Sequence, residues 1–350
     1  MVNGHVKTDL TAVVALSDEE RRSFFPEPLW SELRQLLPRL RLLSVPLSNE
    51  VAWREALLCE PPELMITGWE ALRWPLPMEL RRNSTRRLNY VCHVGGTVRP
   101  LVPRTMLTDG LLVSNWGHVA NRVVAEAALL MILGALRRAT FYALEMHQPQ
   151  QDGWRGSRRD QQLCRSLIGR RVGLHGFGGV ARALVPLLRP FQVTLHTFAL
   201  NVSGKLPDFP DVQVCRDVEE LFVTSEVLVE LTAGVSGNRH IVTENLLRKL
   251  PMDAVFVNVA RGLVVDEGAL VRVAEEGRIQ AALDVYEQEP LPADSPLRRC
   301  SNITLFPHMA GPTMDRRRDC GEWAVVNLRR YMQGEAPAAQ ITLEMYDSTT

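Results

Sequence analysis

The sequence predicts an α/β protein built on two parallel, doubly wound sheets, and three observations carry that prediction. Short β-branched runs alternate with amphipathic helical segments almost throughout, the pattern of strands joined by crossover helices. The chain has 350 residues, enough for two domains with separate cores. A long apolar-periodic segment, Val119 to Arg138, falls between two series of strand candidates, where one helix would leave the first domain and enter the second.

In order, the first series places strands at Ala12–Leu16, Arg41–Val45, Leu64–Thr67, Tyr90–His93 and Leu111–Ser114, with amphipathic segments Trp30–Leu37 and Val51–Leu58 between them. After the long helix comes a polar, arginine-rich loop, Gln148 to Arg165, with Gly153-Trp154 inside it. The second series reads Arg171–His175, Val193–Thr197, Val212–Val214, Val227–Leu231, Val255–Asn258, Ala281–Asp284 and Ile303–Phe306. Helical segments Val180–Leu188, Leu246–Leu250 and Glu267–Glu276 separate some of them. A last helix, Asp315 to Met332, has no strand after it and is expected to return to the first domain; the tail Tyr346–Thr350 is expected to fray.

Composition narrows the function classes. Hydrophobic residues make up 46% and charged residues 23%, as in globular proteins. The 40 basic and 40 acidic residues balance to zero formal charge, so no global field draws in nucleic acid or an acidic membrane. All but Lys7, Lys205 and Lys249 of the basic residues are arginine. The clusters Arg81-Arg82, Arg86-Arg87 and Arg316–Arg318 lack interleaved aromatics and read as solvated faces. Cys59, Cys92, Cys164, Cys215, Cys300 and Cys320 show neither CxxC spacing nor histidine partners, which points to reduced thiols and no metal site. Met1–Leu10 carries no secretory pattern, and no apolar run approaches the ~18 residues that cross a bilayer. A cytoplasmic chain with no membrane partner is expected.

The first chemical signal is Gly176-Phe177-Gly178-Gly179-Val180-Ala181, running from a strand candidate into a helix candidate. This is the G-x-G-x-x-A form of a dinucleotide fingerprint: a tight turn, a close backbone approach to a pyrophosphate, and a small residue for helix packing. The helix N-terminus adds free N–H groups for the phosphates. The fingerprint also expects an acidic residue at the end of the next strand, and this sequence offers Thr197 there, with Lys205 farther on. The choice between NAD and NADP is left open.

Three later segments place polar groups just after strands, at the edge where doubly wound sheets bind ligands. They are Ala260-Arg261-Gly262, Asp284-Val-Tyr-Glu287-Gln-Glu289-Pro290, and Pro307-His308-Met-Ala-Gly311. An arginine can hold a carboxylate and polarise the neighbouring carbonyl, a histidine can supply a proton near neutral pH, and a carboxylate can orient that histidine.

The ordered set, with the glycine loop and the long linking helix, resembles the D-isomer-specific 2-hydroxyacid dehydrogenase family over essentially the whole chain. The resemblance implies two Rossmann-like domains, a dinucleotide-binding domain (119–310) inserted in a split substrate domain (1–118 with 311–350). It puts Arg261, Glu289 and His308 at the catalytic positions. It gives the cofactor, NAD or NADP, to Gly176, Phe177, Gly178, Gly179, Val180, Thr197, Thr232, Ala233, Val259, Ala260, Asp284 and Val124. Ala233 stands where many relatives have proline. By the same resemblance Gly95 and Gly96 bind the substrate carboxylate, although the family separates these glycines by one residue and follows them with Asp-Asn, where this chain has Val98-Arg99-Pro100. Asn115-Trp116-Gly117 stands for the family's Asn-x-Pro-Gly, and Val124-Ala125-Glu126 keeps its Val-Ala-Glu. Trp69, with Trp116, implies an aromatic-walled pocket and a substrate with a sizeable side chain. The partners implied are a small 2-keto or 2-hydroxy acid and a second copy of the chain, dimers of relatives forming through the linking helices. A cofactor-sensing, corepressor-like protein on the same scaffold is the alternative.

Overall fold

The computed structural model describes residues 10–83, 85–147, 164–200, 202 and 204–348. It divides into two compact units, Met1–Ala120 with Pro312–Thr350, and Asn121–Gly311.

The first unit holds five parallel strands: β1 (Ala12–Ala15), β2 (Leu40–Leu42), β3 (Leu64–Thr67), β4 (Tyr90–His93) and β5 (Leu112–Ser114). Their order is β2-β1-β3-β4-β5, every pair parallel. β1, β3 and β4 are buried at every residue, because crossover helices cover both faces of the sheet. The helix Asp18–Phe24 starts from a capping box in which Ser17 and Glu20 satisfy each other's backbone N–H. The helix Arg317–Met332 packs on that helix, on Leu29–Leu36 and on β4, with the Tyr331 ring 4.5 Å from that of Tyr90.

The second unit holds seven: β6 (Arg171–His175), β7 (Thr194–Phe198), β8 (Val212–Val214), β9 (Val227–Glu230), β10 (Ala254–Asn258), β11 (Ile279–Leu283) and β12 (Ile303–Leu305). The order β12-β11-β10-β9-β6-β7-β8, all parallel, reverses direction at β6. The helices Asn121–Leu136 and Gly179–Leu188 share one core with the sheet. Val218–Thr224, Glu244–Lys249 and Glu267–Glu275 share the other, their first turns capped by Asp217, Thr243 and Asp266.

Three expectations are corrected. The linking helix forms as expected, over Asn121–Leu136, but the chain does not leave it as a loop: a second helix, Ala139–Met146, follows directly at an angle of 64°. At the junction Arg138 is left-handed (φ 50°), its guanidinium lies over Phe141, and the Leu136 carbonyl accepts the Arg165 N–H instead of a helical one. The tail is not frayed through Ser348: Leu343–Ser348 is a helix, Tyr346 Oη donates to the Val102 carbonyl at 2.7 Å, and Arg104 forks onto Asp347 at 2.8 and 2.7 Å. The second strand of the second unit runs one residue later than its apolar pattern implied, which changes the standing of Thr197 below. Most of the Gln148–Arg165 loop, with Gly153-Trp154, lies outside the described residues. No single described helix is long and apolar enough to cross a membrane.

Candidate active site

Because β10, β11 and β12 are adjacent and parallel, the segments that follow them leave the same edge of the sheet. After β10, Asn258 folds the chain back on itself: its Oδ1 accepts the Ala260 N–H at 3.0 Å and its Nδ2 donates to the Arg261 carbonyl at 3.1 Å. Gly262 then lies directly against the next segment, where a Cβ would fall 1.8 Å from the Tyr286 carbonyl carbon. Only glycine tolerates that approach, so Arg261 is followed by glycine for a steric reason.

The segment after β11 carries Glu289, whose Oε1 accepts the Tyr286 N–H at 2.9 Å and whose Oε2 accepts the His308 Nδ1–H at 2.6 Å. Burial works against the Glu289 charge, but those two hydrogen bonds and the positive charge of His308 and Arg261 hold its pKa below the usual carboxylate range. A carboxylate on Nδ1 fixes the tautomer and leaves Nε2 of His308 as the exchangeable position. The His308 and Glu289 side chains are 47% and 35% exposed, so the pair sits at the surface of its unit. His308 itself is left-handed (φ 54°), an unusual conformation for a non-glycine residue. The brace is Asp284, buried, whose two carboxylate oxygens accept the N–H groups of Met309 and Ala310 at 2.7 and 2.9 Å. Burial raises the Asp284 pKa, with those N–H groups acting in the opposite direction. Expected among the cofactor residues, Asp284 holds the His308 turn.

The glycine turn joins β6 to the helix Gly179–Leu188. Gly176 has φ 98°, and a Cβ there would sit 2.9 Å from the Leu231 carbonyl oxygen. At Gly178 a Cβ would meet nothing within 4 Å, and no side chain caps the helix that starts there. An open glycine at an uncapped helix start leaves room and free N–H donors, so this cradle fits a dinucleotide pyrophosphate. Phe177 is buried against Phe209 with Arg182 over its ring, and Val180 and Val124 pack into the same core. Thr232 and Ala233 follow β9; the Ala233 carbonyl accepts Asn238 Nδ2 at 2.8 Å. Val259 is buried beside Ala260.

Thr197 does not occupy the strand end. It is buried inside β7 and donates its hydroxyl to the Leu174 carbonyl at 2.8 Å, while Ala199, without a polar side chain, follows the strand's last residue. The apolar run ends at Thr197, but the strand continues to Phe198, so Thr197 lies one residue inside it. Sequence reasoning also missed a second histidine–glutamate pair beneath the turn: His175 Nδ1–H donates to Glu230 Oε2 at 2.6 Å, both side chains buried. A signal was present, since the apolar runs Val172-Gly-Leu-His175 and Val227-Leu-Val-Glu230 each end on a titratable residue.

In the first unit, the Gly95-Gly96 turn is fastened from behind. Asn115 Nδ2 donates to the Gly96 carbonyl at 2.7 Å and the Trp116 N–H to the Gly95 carbonyl at 3.2 Å. The indoles of Trp69 and Trp116 meet edge to face at 6.2 Å, and each presses on one of the two glycines. The imidazole of His93 lies under the turn; burial pushes its pKa down to about 3, so it is neutral, with Nδ1 3.0 Å from Thr67 Oγ1.

The family described as "D-isomer specific 2-hydroxyacid dehydrogenase, NAD binding domain" matches residues 129–310, a span holding the glycine turn, Arg261, Glu289 and His308. The chain belongs to this dehydrogenase family. It is 28% identical over 256 residues to 4-methyl-2-oxopentanoate reductase A of Aspergillus oryzae, covering 73% of this chain and 75% of that protein. It is 34% identical over 180 residues to a glyoxylate reductase of Thermofilum pendens, covering 51% and 53%. In fold it is similar to the holo form of D-mandelate dehydrogenase from Rhodotorula graminis, with TM-score 0.83 at 18% identity over 95% and 97% of the two chains. The seven-stranded unit is therefore the NAD-binding part of a 2-hydroxyacid dehydrogenase.

Proposed function

We propose that this dehydrogenase interconverts a 2-keto acid and a D-2-hydroxy acid with NAD or NADP, using Arg261, Glu289 and His308. The single observation that carries the assignment of roles is the 2.6 Å His308–Glu289 contact beside Arg261 on one sheet edge. When bound, the nicotinamide ring supplies or accepts the hydride. His308 holds the proton at Nε2 and gives it to the substrate oxygen as that oxygen gains charge; Glu289 stabilises the imidazolium and keeps Nε2 pointed away from itself. Arg261 offers the planar fork that binds the carboxylate and polarises the carbonyl. Gly95 and Gly96 contribute backbone N–H donors to an anion. Gly176, Gly178 and Gly179 hold the pyrophosphate, with Phe177, Val180, Thr232, Ala233, Val259, Ala260 and Val124 lining the cofactor's path.

The substrate has a large apolar side chain. The paired indoles of Trp69 and Trp116, with Phe24 5.1 Å from Trp69, support this, as does the branched acid named for the Aspergillus relative. The coenzyme choice stays open between NAD and NADP, since Ala199 offers neither a carboxylate for ribose hydroxyls nor a cation for a phosphate. A cytoplasmic homodimer is proposed, supported by exposed Leu130, Leu144 and Met146 on the helices Asn121–Leu136 and Ala139–Met146. No nucleic-acid or membrane partner is proposed; in support, many of the clustered arginines are engaged within the chain, Arg81 and Arg87 by Asp109, Arg316 by Asp319, Arg317 by Glu19 and Arg318 by Glu322. A panel of 2-keto acids with NADH and NADPH tests the function. Turnover of phenylpyruvate and 4-methyl-2-oxopentanoate should exceed that of glyoxylate and pyruvate. Faster glyoxylate turnover overturns the side-chain assignment alone; tight NADH binding without turnover of any acid overturns the activity.

A further inference from the structure

The second histidine–glutamate pair does no work in the hydride chemistry, yet its position is specific. His175 is the residue immediately before Gly176, the first glycine of the cofactor turn, and Glu230 is its registered partner at the end of β9. Glu230 uses both oxygens. Oε2 takes the His175 Nδ1–H, and Oε1 takes the backbone N–H of Thr232 at 2.8 Å as well as the Thr232 hydroxyl. The turn and the chain after β9 also touch directly, through the Leu231 N–H on the His175 carbonyl at 2.9 Å. One carboxylate thus ties together the two backbone segments that the dinucleotide must cross.

We propose that His175 and Glu230 are positioning residues for the dinucleotide, and that the charge of the pair sets the affinity of the turn for the pyrophosphate. With His175 protonated the pair is neutral overall. With His175 neutral, a net negative charge remains buried next to a turn that must accept a dianion. Apart from the Thr232 donors on Glu230, the surroundings of the imidazole are apolar: Phe198 of β7 stacks on it, Phe222 of the helix Val218–Thr224 meets it edge-on, and Glu230 is the one charged group acting on it among the described residues. The imidazole is buried, which disfavours its charge, but the adjacent Glu230 carboxylate outweighs burial and lifts its pKa above the ordinary 6.5. The neutral pair therefore persists to higher pH than a free histidine would allow.

The proposal rests on dinucleotide binding by this unit and not on turnover, so the test is binding alone. NADH and NADPH are titrated by fluorescence or calorimetry, without keto acid, from about pH 6 to about pH 9, and the His175 imidazole is followed by NMR over the same range. Affinity is expected to fall roughly tenfold, the scale of one unit charge inside a protein, with a midpoint coincident with the His175 titration. E230Q keeps an acceptor for Thr232 and places an amide donor on an unprotonated His175 Nδ1; its affinity is expected to vary by less than about twofold over that range, as expected once the titrating charge is gone. A wild-type profile that is flat, or that turns away from the His175 midpoint, overturns the proposal. So does an E230Q profile that falls as the wild type does. Failure of both NADH and NADPH to bind at any pH would instead remove the cofactor reading beneath it, and the proposal with it.

Discussion

Two histidine–glutamate pairs of the second unit, His308–Glu289 and His175–Glu230, share the same 2.6 Å contact between Nδ1 and a carboxylate, and they are built for opposite tasks. His308–Glu289 is nearly half exposed on loops beyond the sheet, while His175–Glu230 is shut inside it, at 5% and 0% side-chain exposure. The chemistry of an imidazole and a carboxylate is common to both. What differs is whether the second ring nitrogen can reach a ligand and how much desolvation the charges bear. A surface pair gains little stability and can pass a proton to a ligand; a buried pair is costly to break and its proton reaches no ligand directly. Function is thus read from exposure and surroundings, not from the pair itself.

The largest expected effect separates the two by activity. H308A should lose roughly 10²–10⁴ in turnover, the usual worth of a positioned general acid, while NADH binding persists. Its unfolding free energy should change by less than about 1 kcal/mol, because an exposed pair contributes little. A near-normal rate in H308A would remove the functional half of the contrast. Arg261→Lys should fall between these limits, because an ammonium cannot reproduce the guanidinium fork; full activity would show that the fork is not used.

The buried pair should answer in stability. E230A leaves a buried imidazole and the Thr232 donors without their acceptor, and breaking a buried pair costs about 3–5 kcal/mol. The pH dependence follows from the raised pKa of His175. A group whose folded pKa lies above its unfolded value stabilises fully below the unfolded pKa and loses that contribution as pH rises through the folded one. The E230A penalty should accordingly be greatest near pH 6, about the ordinary imidazole range, and shrink on the alkaline side, as read by chemical denaturation at several pH values. A penalty independent of pH would mean that Glu230 serves only as an acceptor for Thr232.

Much of this was legible in the sequence because buried parallel strands are written as short apolar runs. Leu64–Thr67, Tyr90–His93, Arg171–His175 and Val212–Val214 have the bounds their composition predicts. The glycine turn and the loops carrying Arg261, Glu289 and His308 were equally plain, since each joins a strand end to a polar residue. What escaped depends on contacts between distant segments. The bend at Arg138 needs the Arg165 N–H to claim the Leu136 carbonyl. The docking of the tail needs Arg99 and Arg104 at one end of the chain to meet Tyr346 and Asp347 at the other. His175 and Glu230 lie 55 residues apart, and only the register of β6 against β9 makes them neighbours. Thr197 is buried because its side chain lies on the covered face of β7, where its hydroxyl donates to the Leu174 carbonyl, a contact with another strand that composition does not reveal.

The smallest of these effects sharpens the contrast furthest, because it asks what holds the exposed pair in place. The buried pair is fixed by packing on every side; His308 has no such enclosure and sits in a left-handed conformation. Its support is the Asp284 carboxylate gripping the next two backbone N–H groups. D284N keeps one acceptor oxygen and turns the other into a donor facing an N–H, so one hydrogen bond is lost and a buried donor is left unmatched. That costs about 1–3 kcal/mol, divided between global stability and the conformation of the turn. If the turn takes half of it, turnover falls by roughly two- to tenfold, since about 1.4 kcal/mol is one decade, while NADH affinity stays within about twofold. D284E, with a carboxylate on a longer stem, should recover less than the wild-type rate but retain its acid limb in the pH profile. A D284N enzyme with the full rate would show that Glu289 alone orients His308, and the exposed pair would then need no support beyond its own hydrogen bond.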